Sequence, residues 1–205
     1  MSSPPVAPKP LRQPAVATAA WLLSLLVAAP AIAHTGSHDH GGFAVGFMHP
    51  LGGADHLFAM LAVGLWAALL GGHAVRRLVL LFPLAMALGA TLAMTGVSLP
   101  GVETGIAVSA IVLGLAVASA LRPAPWIAAV LVASFAVFHG QAHGAELPAG
   151  VDAFAYAAGF LLATVLLHLA GAAAGRLARR NPAAVVARFA GVAIAAAGVA
   201  FMPGL

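Results

Sequence analysis

An all-α fold, a polytopic membrane bundle of six transmembrane helices behind a cleaved signal peptide, is what this sequence predicts. Three observations carry it. Only 7% of the 205 residues are charged and 62% are hydrophobic, whereas a soluble domain carries roughly 25% charged residues. Apolar runs approaching the ~20 residues needed to cross a bilayer recur six times. The arginines between them gather in alternate loops.

Taken in order, residues 1–33 read as a signal peptide. Lys9 and Arg12 supply a positive start, Ala15 to Ala29 an apolar core, and Ala31-Ile32-Ala33 a small-x-small cleavage site. An uncleaved first helix is the alternative, but the apolar core is short for a span and a polar stretch follows at once. Cleavage would begin the mature chain at His34 and lower the formal charge from +4 to +2 by removing Lys9 and Arg12. Residues 34–42 form a histidine-rich segment on the periplasmic side. Residues 43–205 form the transmembrane domain, with spans near Phe43–Leu70, Leu78–Val97, Val102–Leu121, Trp126–Phe138, Val151–Leu177 and Val185–Met202. The fourth is short, and the following "FHGQAHG" completes it. The first is interrupted at Pro50–Gly53, where proline and two glycines should break or kink a helix.

Orientation follows from the arginines. Arg76 and Arg77 follow span one, Arg122 follows span three, and Arg176, Arg179, Arg180 and Arg188 surround the end of span five. The intervening loops and the C-terminus hold no lysine or arginine, so the positive-inside rule puts both mature termini in the periplasm of a bacterial inner-membrane protein. The glycine pairs of "GFAVG" (Gly42 to Gly46) and "GAAAG" (Gly171 to Gly175) match the small-xxx-small spacing that lets membrane helices approach closely. The basic balance of the chain resides in these loops, with no basic stripe or interleaved aromatics, which argues against nucleic acid as a partner. No cysteine is present, excluding thiolate metal sites and cysteine nucleophiles, and no nucleotide-binding P-loop is present.

The ionisable residues that remain are few and clustered. "HPLGGADH" (His49 to His56) lies near the outer end of span one, and "FHGQAHGAE" (Phe138 to Glu146) at the outer end of span four. Two motifs some ninety positions apart are therefore placed at similar depth. His139, His143 and Glu146 are spaced to share one helical stripe, which Gly140 and Gly144 leave open to a backbone or an ion. Asp55 and His56 are neighbours and should not face the same way on a regular helix; His49 joins them only if the Pro-Gly-Gly break re-aims it. Four imidazoles and two carboxylates suit a divalent transition metal: nickel, copper, zinc or iron. One carboxylate can instead orient a ligating ring. Simple hydrogen bonding between helices is the competing account, but each charged group near mid-bilayer costs about 2.5–3.5 kcal/mol, too much for six without a purpose.

Other polar residues carry less. His34, His38 and His40 either gather metal at an entrance or form a solvated tail. His168, deep in span five, is read as hydrogen-bonded to a neighbouring helix, with an inner way-station as the alternative. His73 is read as a loop residue, Glu103 and Asp152 as acids complementing helix dipoles, and Met48 and Met60 as packing. Asp152 is close enough to the second motif to be a marginal extra ligand.

The two motifs, H-x5-D-H at His49, Asp55 and His56 and F-H-G-x-A-H-G-x-E at His139, His143 and Glu146, resemble those of the HupE/UreJ family of hydrogenase and urease accessory proteins, regarded as nickel permeases. The resemblance spans the mature chain with no departure at those six positions, which it implies as the metal residues. It implies nickel, or else cobalt, as the transported ion; zinc is a further candidate, and no prosthetic group is expected. The expected function is thus non-enzymatic: a secondary permease, embedded in lipid, supplying urease or hydrogenase metallocentres. An intramembrane zinc hydrolase, and a scaffold for metallocentre assembly, are the rival readings.

Overall fold

The computed structural model describes residues 42–179 and 184–204, all within one compact unit. The expected signal segment, His34, His38, His40 and Arg180 lie outside the described residues. All seven regular elements described are helices: α1 (Gly42–Gly52), α2 (Ala54–Leu70), α3 (Ala74–Met94), α4 (Val102–Ala118), α5 (Pro125–Ala145), α6 (Ala153–Ala178) and α7 (Ala184–Ala200). In lipid a backbone must satisfy its own polar groups, and an α-helix does so within one segment.

Helices α3, α5 and α6 are each long and apolar enough to cross a membrane. Helix α5 runs unbroken through "FHGQAHG", so the second motif does complete that segment. Helices α1 and α2 reach a spanning length only as a pair, bent by 83°. The break is at Gly53; Pro50 is accommodated inside α1, three residues earlier, and is buried. Helices α4 and α7 are apolar but only 17 residues each, about 26 Å of helix. The turn from α2 to α3 requires glycine, because Gly71 and Gly72 have φ of +77° and +54°.

Small residues set the helix spacing. A Cβ on Gly140 would stand 1.9 Å from the Met86 carbonyl oxygen, and one on Gly89 would stand 2.2 Å from that of Val137, so α3 and α5 meet backbone to backbone. Helices α2 and α6 meet likewise through Gly64, against His168 O, and Gly171, against Leu61 O. Gly46 seats α1 on Tyr156 of α6. Both glycine patterns of the sequence therefore lie in tight helix contacts, as membrane packing demands.

Met60, Trp66, Phe82, Leu113, Val117 and Val132 fill the centre, while Leu84, Phe154 and Phe189 point outward and stand open by 70%, 88% and 70%. Large apolar side chains on the outside suit a hydrocarbon solvent better than water. Charge is polarised along the bundle. Asp55, Glu103, Glu146 and Asp152 sit where α2, α4 and α6 start and α5 ends, and the described arginines gather where these helices meet at the opposite end.

Candidate metal centre

The site is assembled at the acidic end by the Gly53 break. The sharp bend turns the last turn of α1 over the first turn of α2, so His49 faces the end of α5. His49 Nε2 lies 3.4 Å from Glu146 Oε2, and its ring centroid lies 4.8 Å from that of His143. Donor atoms of His49, His143 and Glu146 all fall within 4.8 Å of one another. Nitrogen ligands sit about 2.0–2.1 Å from a transition metal, so a small contraction would seat one ion among all three. Glu146, 54% exposed, and His49, 30% exposed, open on a cavity of about 500 Å³ that Asp55, His56 and Glu103 also line.

Below this mouth the imidazoles continue inward. His143 is 4.4 Å from His56, ring to ring, and His56 is 4.8 Å from His139. Asp55 does reach its neighbour: its Oδ1 lies 2.9 Å from His56 Nδ1 and accepts from the His56 backbone N–H at 2.9 Å. The expectation that the two residues diverge therefore fails. In the first turn of a helix the carboxylate can fold back over the free amides. A ring N–H donated to Asp55 leaves His56 Nε2 as the lone-pair nitrogen, and that atom is buried without a partner among the described residues. His139 is oriented the same way by a different group. The Ser109 hydroxyl donates to Ile106 O at 2.6 Å and lies 2.9 Å from His139 Nε2. With its own proton so used, the serine oxygen accepts from His139, leaving Nδ1 buried and unpartnered. Both ring nitrogens of His143 are buried and unpartnered too.

The six residues singled out in the sequence thus converge, but in two tiers. His49, His143 and Glu146 form the group within reach of one ion; Asp55 and His56 line the same cavity beside it, and His139 lies wholly buried behind His56. The stripe left open by Gly140 and Gly144 receives the α3 backbone, at Met86 and Ala90, rather than an ion. Gln141 locks the motif in place by donating to Val97 O. Asp152 caps α6, accepting from Ala155 N at 2.7 Å. His168 is completely buried, and neither ring nitrogen has a partner among the described residues, so the expected hydrogen bond to a neighbouring helix is not made. Ser109 belongs to neither motif; its signal was a lone hydroxyl within the apolar run 105–118. Glu103, expected only to complement a helix dipole, lines the same cavity as His49 and Glu146.

The fold and this cleft define a class: a multi-pass helical membrane protein with an imidazole- and carboxylate-lined opening at its acidic end. The family model described as HupE / UreJ protein matches residues 22–201. The chain belongs to the HupE / UreJ family. It is 45% identical over 183 residues to Protein HupE of Rhizobium leguminosarum bv. viciae, covering 89% of this chain and 95% of that protein. No solved structure matches it.

Proposed function

We propose that this chain is a secondary permease that admits a divalent transition metal, nickel foremost and cobalt next, into the cytoplasm to supply urease or hydrogenase metallocentres. The reading takes α1–α2 as one broken span, with α3 to α7 completing six. The acidic mouth then faces the periplasm and the arginine end faces the cytoplasm, in keeping with the positive-inside rule. One observation carries it: the run of rings from His49 through His143 and His56 to His139, whose spacings of 4.8, 4.4 and 4.8 Å lead from an open cavity into the bundle.

The chemistry is capture followed by transfer. Glu146 and the Asp55–His56 pair bring negative charge to the mouth, where an ion exchanges water for ligands. The deeper imidazoles then offer neutral nitrogen donors, which hold nickel but not hard cations. Affinity must be moderate at each step, because a site that holds too tightly cannot release. The test is uptake of radioactive nickel into cells or proteoliposomes. At low external nickel, His49→Ala and His143→Ala should slow it severely, and cobalt should compete. Normal nickel entry in both variants would refute the reading.

A further inference from the structure

His168 lies beyond the described column. It sits in the middle of α6, wholly buried, with both ring nitrogens unpartnered among the described residues. One turn before it, Thr164 is also wholly buried, with a hydroxyl that likewise has no partner. Protein interiors rarely leave two polar groups of one stripe unsatisfied, and an ionisable residue inside a membrane segment points to a functional role. The Phe82 ring bridges the gap: its centroid is 5.6 Å from that of His139 and 4.8 Å from that of His168, edge-on to the latter. Helix α6 itself links the two levels. Tyr156, Phe160, Thr164 and His168 recur every fourth residue, and the first two pack on His49, at 5.8 and 6.0 Å. Twelve residues of helix carry this face about 18 Å inward.

The geometry points to a second, interior cation station at His168, with Thr164 as its oxygen donor, that receives the ion from His139 around the Phe82 ring. This rests on the permease reading and extends it, turning one outer site into a two-site transfer. The ligand class is a divalent transition metal that accepts a single imidazole and keeps part of its water shell. Either ring nitrogen can offer the lone pair while the other keeps its proton, so binding needs no proton release. Two weak sites in series also answer the release problem, since an ion held at one can be displaced toward the other.

The test uses the full chain in proteoliposomes with an internal nickel indicator. His168→Leu and His168→Gln should lower the maximal entry rate by about tenfold or more, while the half-saturating external nickel concentration stays unchanged because capture at the mouth is intact. His49→Ala should instead raise the half-saturating concentration. In the wild-type chain, saturating nickel should broaden the ring ¹⁵N resonances of His168 by paramagnetic relaxation, a readout that needs no variant to fold. Wild-type entry rates in both His168 variants, or His168 resonances untouched at saturating nickel, overturn the proposal. If instead His49→Ala and His143→Ala import nickel normally, the outer-site reading falls, and His168 is still decided by its own broadening.

Discussion

Gly140→Ala is the sharpest test of how the fold holds the site. Gly140 lies between His139 and His143, and its Cα faces the α3 backbone. A methyl group there would sit 1.9 Å from Met86 O, whereas ordinary contact begins at 3.4 Å. Helices α3 and α5 must therefore part by about 1.5 Å at this point, because the obstacle is backbone with no rotamer to turn away. Overpacking of this kind costs about 1–3 kcal/mol. Taking about 2 kcal/mol, a chain of this size loses roughly 4–8 °C of thermal midpoint. The same movement shifts both flanking imidazoles, and a 1 Å misplacement can cost on the order of 100-fold in function. Thermal unfolding in detergent micelles, followed with nickel entry in vesicles, reads both effects. Ser134→Ala on the exposed face of the same helix is the comparison, and should lie within about 0.5 kcal/mol of wild type. An unchanged midpoint with unchanged entry in Gly140→Ala would show that the α3–α5 contact does not position the histidines.

Ser109→Ala removes the hydroxyl that orients His139 and leaves a buried N–H unpaired. It should cost about 1–3 kcal/mol of stability and slow nickel entry, measured by denaturation and by vesicle assay. Asp55→Asn keeps the shape but loses the charge held against His56; nickel affinity by calorimetry should fall about 10–100-fold. Asp152→Ala should cost about 1 kcal/mol through the lost cap of α6, with half-saturating nickel unchanged; a changed value would restore Asp152 as a ligand. Magnesium in large excess should barely slow nickel entry, because that ion gives up water reluctantly and prefers oxygen.

What the sequence made legible was whatever the bilayer enforces. Apolar runs must be helical there, and the arginines in alternate loops assign each helix terminus to one of the two ends of the bundle. That parity alone brought "HPLGGADH" and "FHGQAHGAE" to one end, and the 4.4 Å between His56 and His143 agrees with it. Less legible was anything set by direction rather than depth. Two glycines announce a break, but the 83° bend depends on how α1 seats on α6 through Gly46. The Asp55–His56 contact escaped a reading based on regular helix geometry, because the first turn of α2 lacks the constraint of a preceding turn. Ser109 and Phe82 belong to no motif; they matter through partners 30 and 57 positions away on helices whose rotation the sequence does not print.

The division of donors carries a consequence of its own for selectivity. Carboxylates attract any divalent cation, and among the described residues they occur only at the open end, where Glu146 is still half in solvent. Further in, the buried donor atoms without a partner among the described residues are mostly ring nitrogens: both of His143, His56 Nε2, His139 Nδ1 and both of His168, beside the amide and hydroxyl oxygens of Gln141, Tyr156 and Thr164. An ion entering such a column must exchange oxygen for imidazole nitrogen as its hydration is stripped. Nickel and its neighbours gain by that exchange and calcium or magnesium lose. On the permease reading, attraction and discrimination are therefore separate functions of separate residues. The mouth sets how often a cation arrives, and the buried rings set which cation continues.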